Sequence, residues 1–376
     1  MHVPFVDLKA QYNNHRIEID NAIASVISEA AFVRGKYVSA FEEKFAAFSG
    51  SKFCISCANG TDALFITLKM LGIGQGDEVI TTANSWIATS ETISLAGATP
   101  VFIDVEDEFY CLDPSRIEEK ISPRTKAILP VHLLGQPTQM DEIMRIGNRH
   151  GLTVIEDCAQ AHGARFAGTP VGKFGLAGTF SFYPGKNLGA YGDAGCIITD
   201  SEDLASKCRM FANHGADRAN KHDHLMEGIC SRMDGLQAGI LSAKLPHLMS
   251  WTQSRREAAG RYDALLANIP QVRLPKVRMD AEHVYHVYCI RVPHRDALKG
   301  HLKSVGVDSA CHYPTPLPFL KAYARFGFSP IDFPVAVRHS KEILSLPIFP
   351  EITAAQQKHV ANAISDYFES HPTVLE

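Results

Sequence analysis

From residue 53 to residue 157, short apolar runs alternate with segments of helical spacing, and that alternation limits the chain to few folds. Phe53 to Ser56, Glu78 to Thr82, Pro100 to Val105, Ala127 to His132 and Thr153 to Glu156 read as strands. Helices are expected between them. One opens at Thr61-Asp62 and runs through Leu64, Ile66, Leu68 and Met70; others span Ser85 to Leu95 and Met140 to His150. A further helix is expected to start at Asp113-Pro114, with Asp113 as its cap. Strands and helices in alternation make βαβ units, so the chain should be α/β, with a mainly parallel central sheet between helices. In such sheets ligands sit at the carboxyl ends of the strands. That rule alone selects Asn59 to Asp62, Asn84 to Trp86, Asp157 to Gln160, and Lys186.

On the N-terminal side, residues 14 to 30 have helical spacing, and a second helix carries Phe41, Phe45 and Phe48 up to Gly50. Beyond the alternating region, Asp203 to Phe211 reads as a helix and 216 to 226 as a polar loop. A helix over Arg232 to Leu245 should stop or kink at Pro246, before a longer one from Trp251 to Asn268. His283 to Val292 and Val307 to His312 read as strands; Arg295 to Val305, Val335 to Ile343 and Ala354 to Phe368 read as helices. With 376 residues the chain exceeds what one core usually serves. Two domains are expected: a large one over residues 1–250 and a smaller C-terminal α+β domain over 251–376.

The formal net charge of -4 gives no basic footprint for nucleic acid. No apolar run approaches the ~20 residues of a membrane span, and the N-terminus has no basic segment leading into an apolar one. The nine cysteines are odd in number and scattered, as expected of reduced thiols in a cytoplasmic protein. Cys54-x-x-Cys57 lies in an apolar run with no second pair nearby, so it reads as buried structural cysteine, and no metal site is expected.

Chemistry concentrates in Gly178 to Gly195, G-T-F-S-F-Y-P-G-K-N-L-G-A-Y-G-D-A-G. Phe180, Phe182 and Tyr183 read as a buried strand that breaks at Pro184-Gly185 and delivers Lys186. Glycine turns let a backbone approach a bound group closely. A lysine fixed and desolvated there has a lowered pKa, and its amine can form an imine with a carbonyl. The helix start at Asn59-Gly60-Thr61-Asp62 offers N–H donors to a phosphate, unless Thr61 serves as the cap. Asp157, at a buried strand end, calls for a cation such as a protonated ring nitrogen, or caps the segment that follows. Trp86 either stacks on an aromatic ring or packs in the core, and Gln160 and His162 either bond a ligand or cap. All of these fit one ligand, pyridoxal 5'-phosphate. The Thr61 helix and Ser181 would hold its phosphate, Trp86 would stack, Asp157 would keep its ring nitrogen protonated, and Lys186 would form the imine.

Longer motifs extend the pattern: P-F-V-D-L-K-A-Q-Y at 4–12, A-N-G-T-D-A-L at 58–64, V-I-E-D-C-A-Q-A-H-G-A at 154–164 and S-F-Y-P-G-K-N-L-G-A-Y-G-D-A-G at 181–195. N-H-G at 213–215, S-R-M-D-G-L-Q-A at 231–238 and H-Y-P at 312–314 complete it. With them the chain resembles the DegT/DnrJ/StrS-type sugar aminotransferases, within fold type I of the pyridoxal phosphate enzymes. The resemblance implies that Gly60, Thr61 and Ser181 bind the cofactor phosphate, that Trp86 stacks on the ring, and that Asp157 and Gln160 contact its polar groups. Lys186 is implied as the catalytic lysine. Arg232 would reach across a homodimer interface, while His312 and Tyr313 would line the sugar-nucleotide site. The implied reaction converts a nucleotide-linked keto-sugar, 3-keto favoured and UDP- or dTDP-linked, to the amino-sugar, with L-glutamate as donor and 2-oxoglutarate as by-product.

Amination at C4, or a same-fold sugar dehydratase, is the alternative, although dehydratases typically replace the lysine by histidine. A nicotinamide-dependent oxidoreductase would need a G-x-G-x-x-G that does not follow the first strand. A non-catalytic sensor of the same fold would not need Lys186, Asp157 and His312 together. Two positions depart from the family pattern. Cys230 stands where an asparagine usually precedes S-R, and Pro316-Leu317-Pro318 lacks the histidine of a common P-L-H.

Overall fold

A computed structural model describes residues 1–217, 220 and 222–371. Three helices, α1 (Leu8–Asn14), α2 (Arg16–Ser28) and α3 (Lys36–Ser49), precede the first strand. The alternating region then forms β1 (Phe53–Cys57), α4 (Gly60–Met70), β2 (Glu78–Thr82), α5 (Ala88–Ala96), β3 (Thr99–Ile103), β4 (Thr125–Leu129), α6 (Met140–His150) and β5 (Thr153–Asp157). A ribbon of β6 (Arg165–Phe166) and β7 (Thr169–Pro170) leads to β8 (Ala177–Ser181), β9 (Gly195–Thr199) and α7 (Glu202–Phe211). Helices α8 (Gly235–Lys244) and α9 (Leu248–Leu266) follow, then β10 (Ala281–Glu282) and β11 (Tyr288–Arg291). The chain closes with α10 (Arg295–Ser304), α11 (Pro334–Glu342), β12 (Ile343–Leu346) and α12 (Ala354–Ser370).

The central sheet has seven strands in the order β1-β9-β8-β5-β4-β2-β3. Strands β8, β5, β4, β2 and β3 pair in parallel, and β9 runs antiparallel to both β8 and β1. β1 therefore points the same way as β8, and the carboxyl ends of every strand but β9 lie along one edge. This is the mainly parallel sheet expected; the reversed β9 was not singled out in the sequence. Phe41 and Phe45 of α3 pack edge-on against Phe180 and Phe182 at 5.1 to 5.3 Å, which buries the helix on the sheet. A second core gathers Tyr262, Tyr288, Ile290, Leu298, Val360 and Ile364, and takes in Val3 from the N-terminus. The residue-250 boundary expected between domains falls inside α9.

Several expectations need correction. Asp113 caps as expected, but what it starts is a 3-10 turn over Pro114–Arg116. Tyr183 is exposed, because β8 ends at Ser181. The helix expected from Arg232 begins at Gly235, and Pro246 sits in a 3-10 turn that kinks α8 into α9. Of His283 to Val292, only Tyr288–Arg291 is a strand. Val284 and Val287 instead give their N–H groups to Gly135 and Leu134, which draws this segment off the ladder. Val307 to His312 forms no strand, since Val307 bridges to Val3 while Ala310 bridges to Ser345, two different partners. The polar loop over 216–226 includes residues 218, 219 and 221, which lie outside the described residues. No helix among the described residues is long and apolar enough to cross a membrane.

Candidate active site

The turn from β1 into α4 forms one end of the site. Asn59 is extended and its Oδ1 accepts the N–H of Asp62 at 2.8 Å, so Asn59, not Thr61, is the helix cap. The N–H groups of Gly60 and Thr61 and the Thr61 hydroxyl make no hydrogen bond among the described residues. They remain as donors at the positive end of the helix. The turn is pressed against the ends of β8 and β9. A Cβ on Gly60 would stand 2.6 Å from the Ser181 Cβ, and one on Gly195 would collide with the Asn59 carbonyl. Glycine at both positions lets Ser181 join the donors. Ser231 secures the turn from behind, accepting from Ala58 N at 3.1 Å and donating to Asp62 Oδ2 at 2.6 Å.

Beyond β8 the backbone closes a loop, with Phe182 N bonded to Ala194 O and Ala190 N to Phe182 O. This loop carries Lys186, whose own N–H bonds Tyr183 O at 2.8 Å. The Lys186 side chain is half-buried, and its amine makes no hydrogen bond or ion pair among the described residues. Burial lowers its pKa to about 8, against an opposing pull from the Asp157 charge. Asp157 ends the neighbouring strand β5, level with Thr179 of β8. It is buried and accepts from Thr89 Oγ1 at 2.9 Å and Ala159 N at 3.1 Å. Burial raises its pKa, while those two bonds and the Lys186 charge oppose the rise. The cap-like bond to Ala159 and the facing cation are thus both present.

The opposite wall is aromatic. Gln160 accepts from Leu134 N at 2.7 Å and donates from Nε2 to the Tyr313 hydroxyl at 3.0 Å. The Tyr313 ring lies 5.8 Å from that of Trp86, which is 59% exposed and so is not a core residue. His312 bonds Ser345 Oγ through Nδ1 at 2.8 Å and stacks on Phe5. Burial, then the Lys186 charge, take its pKa down to about 4. His162 is fully buried beside Phe180 and Phe182 with both ring nitrogens unpaired among the described residues, and burial lowers its pKa to about 3.

Two residues of the site were not recognised in the sequence. Asn187, next to Lys186, donates from Nδ2 to Val284 O at 3.0 Å, which turns its Oδ1 toward His286 Nδ1 at 3.1 Å. That oxygen can only accept, so His286 carries its proton on Nδ1 and keeps a lone pair on Nε2. Burial, followed by the Lys186 charge, pushes the His286 pKa far below its ordinary value. The sequence signal was H-V-Y-H at 283–286, which had been absorbed into a strand.

Arg232 is not drawn into this group. It bonds Asn213 Oδ1 at 3.4 Å and Cys230 Sγ at 3.1 Å, and Cys230 is exposed. Pro318 is buried in a 3-10 turn over Leu317–Phe319, whose Leu317 N bonds Ala83 O just past β2.

An amine of lowered pKa without a partner among the described residues, a buried carboxylate and a cradle of N–H and hydroxyl donors suit a phosphorylated pyridine aldehyde. Comparison with known proteins agrees. The chain is 40% identical over 367 residues to the dTDP-3-amino-3,4,6-trideoxy-alpha-D-glucose transaminase of Streptomyces venezuelae, covering 98% of this chain and 96% of that one. It is 44% identical over 362 residues to the UDP-N-acetyl-3-dehydro-alpha-D-glucosamine 3-aminotransferase of Acidithiobacillus ferrooxidans, covering 96% and 97%. Among solved structures, S. venezuelae DesV in complex with a ketimine intermediate superposes with a TM-score of 0.95 at 41% identity, covering 98% of this chain and 99% of that one. The family's fold is the fold type I expected, and its cofactor is pyridoxal phosphate. Residues 13–365 match the DegT/DnrJ/EryC1/StrS aminotransferase family, and the chain belongs to it.

Proposed function

We propose that this enzyme moves the amino group of L-glutamate to the 3-keto carbon of a UDP- or dTDP-linked sugar, releasing 2-oxoglutarate and the amino-sugar. The observation that carries this reading is the Lys186 amine, which has a pKa of about 8, no partner among the described residues, and the Asp157 charge near it at the strand ends. When bound, pyridoxal 5'-phosphate supplies an aldehyde to carry the amino group and a ring to withdraw electrons. The Gly60 and Thr61 N–H groups, with the Thr61 and Ser181 hydroxyls, bind its phosphate. Trp86 would stack on its ring. Asp157 holds a proton on the ring nitrogen, and Thr89 holds Asp157. Gln160 braces Tyr313, so that Tyr313 and His312 form the sugar side. Lys186 would hold the cofactor at rest; its freed amine would take the proton from the donor α-carbon in the first half-reaction and deliver one to the sugar C3 in the second.

The 3-keto preference is supported by relatives named as 3-amino-sugar transaminases. A homodimer with shared sites accounts for two exposed features. Cys230, whose Sγ accepts from Arg232, is exposed, and Trp86 is left 59% exposed. The test supplies glutamate and UDP- or dTDP-linked 3-keto- and 4-keto-hexoses, and reads amino-sugar by mass spectrometry. Amination of 3-keto substrates is expected. Amination of 4-keto substrates alone, or ammonia release without glutamate, would overturn the reading.

A further inference from the structure

Outside this site, ligand-type side chains meet at a second place. His15 stands between α1 and α2, Glu18 lies in the first turn of α2, and His247 ends the 3-10 turn between α8 and α9. The two imidazole rings have centroids 4.1 Å apart, and His247 Nε2 lies 2.7 Å from Glu18 Oε2. One ligand atom from each of the three lies within 4.8 Å of the others. The buried group His132, Glu156 and Cys158 is of a different kind. There Glu156 already accepts from three backbone N–H groups as well as facing His132.

We propose that His15, Glu18 and His247 form a binding site for a divalent transition metal of the zinc type, with solvent completing the shell. Two imidazoles and one carboxylate suit borderline ions such as Zn2+ or Co2+ over Mg2+ or Ca2+, which prefer oxygen. Trp251 serves as a built-in reporter, because its Nε1 donates to His15 Nε2 at 3.3 Å. A neutral imidazole has one lone pair, and the metal takes it. The other nitrogen then carries the proton, so the indole loses its acceptor whichever nitrogen binds. The indole ring also stands 5.9 Å from Lys244 Nζ, which donates to Gly189 O in the loop of Lys186.

The test titrates untagged holoenzyme with Co2+ and with Zn2+, reading cobalt absorption and tryptophan fluorescence, with the Trp251 share taken as the difference from Trp251→Phe. Saturation at one ion per chain is expected, with the fluorescence change and with no response to Mg2+. His15→Ala and His247→Ala should each weaken binding by about tenfold or more, since loss of even an outer partner costs 10–100-fold. Glu18→Gln should weaken it less. An unchanged cofactor spectrum in each variant shows that it has folded. Binding that never saturates, or that is unchanged in both histidine variants, overturns the proposal.

Discussion

Glu156 and Asp157 are consecutive residues of β5, so their side chains leave opposite faces of the sheet. Both are buried carboxylates. On one face Glu156 accepts from Gly172, Phe174 and Gly175 N at 2.7 to 2.8 Å. His132 Nδ1 accepts from Thr138 N, so its Nε2 proton points at Glu156, 3.0 Å away. On the other face Asp157 has two donors and the charge of a lysine that has no partner of its own among the described residues. A buried charge fully matched by the protein is structural, and one left short marks where a ligand completes it. The lysines repeat the lesson. Lys186 and Lys244 both have pKa values lowered to about 8 by burial. Lys244, however, donates to Gly189 O and lies over the Tyr191 ring, whereas Lys186 has no partner among the described residues. The shifted pKa alone does not separate structure from function; the unmet bond does.

Lys186→Ala should show the contrast most strongly. Loss of a proton-transfer group typically costs on the order of 10²–10⁴ in rate, and here the covalent hold on the cofactor goes as well. Stability of the cofactor-free chain should barely change, because the Lys186 amine makes no hydrogen bond or ion pair among the described residues. Amino-sugar formation and urea unfolding measured together check both halves. A large fall in the unfolding midpoint would break the comparison.

The carboxylate pair comes next. Glu156→Ala leaves the Gly172, Phe174 and Gly175 N–H groups and the His132 ring proton buried without an acceptor, and should cost about 3–5 kcal/mol of stability. Asp157→Asn keeps shape and volume, so it should remain folded while turnover falls by roughly a hundredfold or more. Calorimetry with turnover assays on both variants separates the outcomes. If Asp157→Asn unfolds and Glu156→Ala only slows turnover, the assignment of the two faces is reversed.

Much of this site could be read from the chain because its parts sit at strand ends that the alternation exposes. Lys186, Asp157 and the turn at Gly60 needed only the rule about carboxyl edges and the glycine pattern around them. Whether Thr61 capped the helix could not be read, because Asn59 and Thr61 are both good caps and only geometry shows which oxygen reaches Asp62 N. His286 was missed for a physical reason. Alternating apolar residues predict a strand wherever a ladder partner exists, and here the N–H groups of Val284 and Val287 go to a distant turn at 134–135. Reversal of β9 was equally hidden, since period-two burial does not encode strand direction.

Lys244 gives a pH-dependent test of a matched group. Its pKa is about 8 in the folded chain, against 10.5 for an ordinary lysine. Between those values the unfolded chain binds more protons, so stability rises with pH through the window from about 8 to 10.5. Below about 8 the lysine is charged in both states and the full burial penalty applies. Lys244→Met has no proton to lose and should flatten that rise, which is worth about 1.4 kcal/mol for each pKa unit. Unfolding curves of both proteins at pH 7, 8.5 and 10 measure the difference. Parallel curves would mean that Lys244 is not held against its charge.

The finest division falls within a single ring. His286 Nδ1 is committed to Asn187, and Nε2 keeps its lone pair in a ring that feels the Lys186 charge. If the free nitrogen is the functional one, removing both should slow turnover by about tenfold, near the ~1.4 kcal/mol of one strong hydrogen bond. His286→Phe tests that. His286→Gln restores the arrangement, since its amide N–H can donate to Asn187 Oδ1 while its carbonyl replaces the Nε2 lone pair. Because the ring is held neutral far below its ordinary pKa, no limb of the pH–rate profile near neutrality belongs to it. His286→Phe should therefore lower the plateau of kcat without moving either limb, and His286→Gln should recover most of the loss. A shifted acid limb in His286→Phe would show that the ring is protonated during turnover. No recovery in His286→Gln would show that shape, not the lone pair, is what Lys186 requires of its neighbour.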